Sequence, residues 1–207
     1  MKLKHLLNTG IATVAVFWIS TFIGGYVHGN YNHLSNTVSA LGAIGSKSQS
    51  FMAIATWFCA ILSLVFTVAM IGACRKTGLN VLPACSIICI PAMFAWAAMF
   101  PSGNPMHPVL GPVILLLYVG AISSLFLWKG ISLRRMRIIS LFSIMAMLLL
   151  LLRLVPIFQN NYPGLIQRFA HLGWSLWFVG LNISFAKLIG KRYRQQPPQK
   201  IHKPLKQ

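Results

Sequence analysis

The sequence has no aspartate and no glutamate, although 18 of its 207 residues are lysine or arginine. A Ser-His-Asp triad and the paired acids of a glycosidase both need carboxylates, so these classes of enzyme are excluded. Protein sites for Ca²⁺ and Mg²⁺ also depend on carboxylate ligands. Each lysine and arginine must therefore find its counter-charge in a lipid, a solvent ion, the C-terminal carboxylate or another protein.

The sequence also has little charge for its length, because only 9% of its residues are charged and 57% are apolar. A typical soluble domain is about 25% charged and roughly 45–50% apolar. Six apolar runs are each close to the length that crosses ~30 Å of hydrocarbon, and lipid disfavours unpaired backbone groups. The sequence therefore predicts an all-α membrane protein, a bundle of six transmembrane helices at residues 9–27, 51–73, 81–100, 109–128, 138–155 and 169–189.

Basic residues concentrate on one side of the predicted membrane. Fifteen of them lie before the first run, after the second, between the fourth and fifth, or from residue 187 onward. Lys47, Arg153 and Arg168 lie on or near the other side. Cytoplasmic loops carry an excess of Lys and Arg, so both termini are predicted to be cytoplasmic. We expect membrane lipids as partners, with anionic headgroups at the cytoplasmic face, and no nucleic acid. Residues 191–207 are predicted to form a basic, disordered tail.

Three predicted outer loops bring polar side chains to one face of the membrane, and a rigid scaffold with such loops is a common place for a site. Arg168 and His171 are three residues apart and share a helix face. The guanidinium of Arg168 is suited to bind a phosphate or carboxylate, although it could instead extend to lipid headgroups. Arg153 presents the same two alternatives one helix earlier. The candidate ligand-binding residues are Arg168, Gln167, His171, His107, His33 and Ser39.

Two kinds of catalytic site remain as alternatives. His33, His107 and His171 could hold a zinc ion, and Ser35 could act as a nucleophile with a histidine as its base. Neither arrangement has a carboxylate to orient the histidine. The four cysteines lie in or beside apolar runs without a matching metal-binding pair, so we expect them to be buried small side chains. We therefore expect no metal and no cofactor.

Four short motifs follow one another along nearly the whole chain. They are Ser39-Ala40-Leu41-Gly42, Phe100-Pro101, His107, and Gly164-Leu165-Ile166-Gln167-Arg168 followed by Trp174. On these motifs the sequence resembles the bacterial multi-pass membrane proteins grouped as domain of unknown function 998. The resemblance implies an integral protein of the bacterial inner membrane and supplies no established activity. Ala40 and residues 102–104 lack acids that are common in the family, so a reaction that uses those acids is not expected here.

Three hypotheses about function follow. The first is a non-enzymatic membrane protein with an outward-facing polar pocket for an anionic lipid or small amphiphile. The second is a membrane-embedded hydrolase or transferase that uses His33, His107 and His171, with or without a metal. The third is a structural or assembly subunit whose positive charge is met by an acidic protein partner. The first is the hypothesis we favour.

Overall fold

The structure, a computed structural model, describes residues 2–130 and 133–195. Within these residues the regular structure is helical and no β-strand is present. Six helices are long and apolar enough to cross a membrane, which confirms the predicted all-α bundle with six candidate spans. They are α1 (Leu3–His28), α2 (Gln49–Thr77), α3 (Leu82–Met99), α4 (His107–Leu127), α5 (Arg134–Leu154) and α6 (Pro163–Gly190).

The last helix extends beyond its apolar part. Its backbone remains helical to Gln195, whereas the predicted disordered tail begins at residue 191. The first turn of that predicted tail is therefore helical, because a helix does not need to end where its apolar run ends. The rest of the predicted tail, residues 196–207, lies outside the described residues.

Helix α6 forms the centre of the bundle. Trp174, Trp177 and Phe178 are each at most 1% exposed, and the Phe178 ring lies 4.8 Å from that of Phe66 in α2. Gly173 allows α5 to approach closely, since a Cβ there would lie 2.7 Å from the carbonyl oxygen of Ser143. Large aromatic side chains and one glycine contact thus fix α6 among its neighbours.

The outer surface of the bundle is apolar. Large hydrophobic side chains point away from the core on every helix, among them Phe22, Val68, Leu82, Phe126, Leu141 and Ile183, and each is at least 43% exposed. Soluble monomers rarely expose continuous apolar surface of this kind. Cys85 also faces outward, whereas Cys59, Cys74 and Cys89 are buried. The expectation that all four cysteines are buried is therefore wrong for Cys85, which an outward helix face exposes.

The two ends of the bundle differ in chemistry. One end, here called the loop face, carries the connections 29–48, 100–106 and 155–162, and two backbone bonds, Ile44 N–H to Ser102 O and Leu165 N–H to Leu34 O, each 2.9 Å, join its parts. The other end, here called the basic face, contains Lys4, Arg75, Lys76, Lys129, Arg134, Arg135, Arg137 and Lys187. At the basic face Trp128 Nε1 donates to the carbonyl oxygen of Asn80 over 2.9 Å.

Two helices change geometry as they reach the loop face. The first part of α4, His107–Ile114, and the last part of α5, Leu149–Leu154, are both 3-10 helix. Such long 3-10 stretches are uncommon, because their hydrogen-bond geometry is poorer than that of an α-helix. Pro112 contributes in α4 because a proline has no N–H to give to the ladder. Pro156 immediately follows the turn that ends α5.

Candidate functional site

The guanidinium of Arg168 holds the first loop of the loop face onto α6. Its Nη1 donates to the carbonyl oxygens of His33, Asn36 and Gly164, the last two at 3.0 Å. Its Nη2 donates to the Tyr31 hydroxyl and to His33 Nδ1, both at 2.8 Å. The chain has no acidic side chain to balance this cation. The negative ends of carbonyl dipoles take that role, and hydrogen bonds to a charged group are stronger than neutral ones.

The residues before Arg168 complete this contact. Gly164 lies so close to the loop that a Cβ at this position would collide with the carbonyl oxygen of Asn36. Gln167 Oε1 accepts from the Val38 N–H at 2.6 Å, and Gln167 Nε2 donates to Ser39 Oγ at 3.3 Å. The segment from Gly164 to Arg168 is therefore a docking surface for the loop that carries Ser39.

The protonation states of His33 and Tyr31 follow from Arg168. A guanidinium can only donate, so His33 Nδ1 must accept and the ring must be neutral. Burial, and then the charge of Arg168, lower the pKa of His33 below its ordinary value. Burial raises the pKa of the Tyr31 phenol, although Arg168 opposes this shift. Tyr31 keeps its proton and donates it to the carbonyl oxygen of Thr37 at 2.8 Å.

A cavity of about 530 Å³ lies beneath this loop, within the range of about 300–1,000 Å³ that small-molecule sites occupy. All six membrane helices contribute to its wall, together with parts of the first two loops. The wall is mostly apolar. Its polar members are Ser20, Thr37, Ser39, Thr56, Ser102, His107, Arg153, Gln167 and His171, and its aromatic members are Phe17, Phe94, Trp96 and Trp174.

Arg153 is the cation of the cavity wall. It lies near the end of α5 and is exposed, and among the described residues no side chain or carbonyl forms a hydrogen bond with its guanidinium. This differs from Arg168, whose guanidinium contacts five acceptor atoms. The donors of Arg153 remain available to a molecule in the cavity.

His171 presents a fixed tautomer to the cavity wall. Trp174 Nε1 donates to its Nδ1 at 3.0 Å, so the hydrogen of the neutral ring is on Nε2. That Nε2 atom is buried and has no partner within the part of the chain that the structure describes. An unpaired buried donor costs about 1–3 kcal/mol. His171 therefore gains free energy from any acceptor brought within its reach.

His107 joins the second loop to the top of α4. Its Nδ1 lies 2.7 Å from the carbonyl oxygen of Phe100 and donates to it. Trp96 closes the same loop by donating from Nε1 to the carbonyl oxygen of Met106 at 2.8 Å. The His107 ring is thus held in the cavity wall by contacts that do not require a ligand.

The predicted site residues divide into two groups. Gln167, His171, His107 and Ser39 line the cavity, whereas Arg168 and His33 lie in the loop contact beside it. The role of the six as ligand-binding residues stays a prediction. Phe94, Trp96 and Trp174 also line the cavity, but the sequence does not mark them as site residues because aromatic residues in a membrane helix usually serve packing.

The structure does not assemble the alternative catalytic sites. No three metal-binding side chains come together among residues 2–130 and 133–195, and His33, the first member of the possible zinc site, faces Arg168 rather than the cavity. Ser35 is exposed and, within the same residues, makes no hydrogen bond to a histidine. Within the described residues, His33 is held by Arg168 and Ser35 faces outward, so neither arrangement is present there.

Six apolar helices with an apolar outer surface define a multi-pass membrane protein. The family model described as "Protein of unknown function (DUF998)" matches residues 11–183, and the chain belongs to this family. The predicted family is thereby confirmed. Neither the curated proteins nor the solved structures contain a match to the chain.

We predict that replacing Arg168 by alanine releases the first loop without unfolding the bundle. Hydrogen bonds to charged groups contribute about 1.5–3 kcal/mol each, so amide exchange in the loop should rise by roughly tenfold or more. Hydrogen-exchange mass spectrometry of residues 31–38 measures this change. The matched control is Arg135→Ala, an exposed arginine on the basic face. Unchanged protection of the loop in Arg168→Ala would contradict the structural role.

We also predict that the docked loop loses stability in mild acid. The pKa of His33 is lowered in the folded protein, whereas a free histidine titrates near ~6.5. Below about pH 6.5 the undocked loop therefore binds more protons than the docked loop. The stability of the docked loop falls as the pH drops from that value toward the lowered pKa of His33. Thermal unfolding is measured from about pH 7.5 to about pH 5, a range that brackets the ordinary pKa of histidine. Over this range the melting temperature should decrease more steeply for the wild type than for His33→Gln. Equal slopes would contradict the prediction.

Proposed function

We propose that the protein binds an anionic lipid or small amphiphile in the cavity and is not an enzyme. The observation that carries the proposal is Arg153, an unpaired cation in the wall of a mostly apolar cavity in a chain without acids. An amphiphile with one negative group and an apolar tail complements both parts of this wall. The ligand replaces the carboxylate that the chain itself lacks.

The role of anion partner is assigned to Arg153 rather than to Arg168. The guanidinium of Arg168 already has acceptors, and displacing them would undock the loop. Arg153 has no such partners, and a guanidinium binds phosphate or carboxylate through two parallel N–H donors. His171, with its unpaired Nε2–H, and Gln167 supply further polar contacts in the same wall. These positions support one charged headgroup rather than several.

We further propose that the loop face lies outside and the basic face in the cytoplasm of a bacterial inner membrane. The basic residues at one end support this orientation, because cytoplasmic ends of membrane helices carry an excess of Lys and Arg. Both termini are then cytoplasmic, and the cavity opens on the outer side. The lysines and arginines of the basic face would contact anionic headgroups of the inner leaflet.

An assembly role with an acidic partner has weaker support. The net charge of +18 would suit such a partner, but the described cations of the basic face are distributed over four helices and the connection between α4 and α5. The histidine-dependent hydrolase is supported still less, because no three metal-binding side chains come together among the described residues and His33 is held by Arg168. The cavity favours binding over either alternative.

The proposal predicts that Arg153→Gln loses most of its bound anionic lipid. One charge-assisted hydrogen bond contributes about 1.5–3 kcal/mol, so affinity for phosphatidylglycerol should fall by roughly tenfold or more. Native mass spectrometry of gently purified protein measures the bound lipid, with zwitterionic phosphatidylcholine, which has no net charge, as the comparison. Arg135→Gln on the basic face is the matched control and should bind as the wild type does. Retention of phosphatidylglycerol by Arg153→Gln would overturn the proposal.

The orientation predicts opposite labelling of two exposed lysine positions. In a background with Cys85→Ser, a cysteine at Lys47 of the loop face should react with a membrane-impermeant maleimide on intact cells. A cysteine at Lys129 of the basic face should react only after the membrane is opened. The reverse pattern would place the loop face in the cytoplasm and remove the proposed orientation.

A further inference from the structure

The cavity has a side wall made of two helix segments that do not pack together. These are the 3-10 parts of α4 and α5, His107–Ile114 and Leu149–Leu154, and the space between them is here called the α4–α5 cleft. No residue of either segment is buried. The first packs against α3, and the second against α6 and the short helix Pro156–Asn161, while no extensive packing within the described residues joins the two segments.

The same two helices are firmly joined in their other halves. Ser124 Oγ of α4 and Ser140 Oγ of α5 are 2.9 Å apart and buried. Nearer the loop face, the Tyr118 hydroxyl donates to the carbonyl oxygen of Met147 at 2.7 Å. The 3-10 segments begin just beyond this bond. The close packing between the two helices therefore ends near this bond, and the cleft lies on its loop-face side.

The cleft connects the cavity with the apolar exterior. Leu110, Gly111 and Ile114 on one side, and Leu150 and Arg153 on the other, line the cavity. The outward residues of the same segments are apolar and exposed, with Val109 at 56%, Leu151 at 58% and Leu154 at 80%. The outward rim of the cleft is therefore apolar, which suits contact with hydrocarbon better than contact with water.

We infer that a membrane lipid with an anionic headgroup enters the cavity sideways from the bilayer through the α4–α5 cleft. This inference rests on the proposed function, which gives the ligand its negative charge. Arg153 lies near the end of α5, at the depth where a bilayer has its headgroups, so it meets the anion first. The acyl chains remain between the two apolar segments and need not cross water. A lipid of the leaflet on the loop-face side complements the apolar cleft, its apolar rim and the Arg153 cation together.

A reversible bridge across the cleft tests this route. In a Cys59→Ala, Cys85→Ser background, Leu110→Cys and Leu150→Cys are joined by a reducible bifunctional thiol reagent. The control is Ser124→Cys with Ser140→Cys, which joins the same helices where they already touch. Native mass spectrometry follows the replacement of bound phosphatidylglycerol by its deuterated form. The bridge should slow this exchange on the order of tenfold or more, as closure over a site limits release, and reduction should restore it.

The outcomes separate this inference from the proposed function. Slower exchange with the cleft bridge, and not with the control bridge, supports sideways access. Equal exchange in bridged and unbridged protein overturns it and leaves binding at Arg153 intact, because the lipid then enters from the aqueous loop face. Absence of bound phosphatidylglycerol in the unbridged protein overturns both the sideways route and the proposed function.

Discussion

The architecture of the loop face depends on one half-buried cation that has no acidic side chain to pair with. In most proteins such an arginine is balanced by an aspartate or glutamate, but this chain has neither. Arg168 is instead surrounded by carbonyl oxygens of His33, Asn36 and Gly164 and by two neutral side-chain acceptors. Each of these acceptors requires the loop to adopt one conformation, so the charge specifies the loop. The docked loop in turn places Ser39 in the cavity wall.

The absence of acids gives the two arginines of the loop face different roles. Arg168 finds its acceptors in the backbone because a flexible loop can fold around it. Arg153 lies on a regular helix end whose carbonyls point along the axis, so no such wrapping is possible. The same composition that makes Arg168 a structural element leaves Arg153 with donors to offer. A negative ligand in the cavity is then the remaining source of compensation for Arg153, apart from solvent ions.

Much of the fold could be predicted from the sequence, because each apolar run has the length of a membrane crossing and charges are excluded from its centre. The family motifs are also visible in the sequence. Their structural role is not visible there, because it depends on contacts between residues that are far apart along the chain. The motif ending in Arg168 contacts the one that contains Ser39, and His107 contacts Phe100 of the Phe-Pro motif. Three of the five acceptors of Arg168 are backbone carbonyl oxygens, whose positions no residue type reveals. Arg168 was therefore predicted as a ligand-binding residue, whereas the structure shows it occupied by the loop.

The helix geometry explains why the cavity and the cleft lie at the same end. Pro112 removes a backbone donor from the middle of the first half of α4, and the hydrogen bonds there take the shorter 3-10 pattern. A 3-10 segment has its side chains in three rows instead of a broad apolar stripe, and each of these segments packs on one side only, the first against α3 and the second against α6. Leu149–Leu154 of α5 has the same geometry opposite it. Two such segments facing each other leave space that side chains do not fill. The basic halves of these helices keep α-helical geometry and pack closely, which confines the opening to the end that holds Arg153.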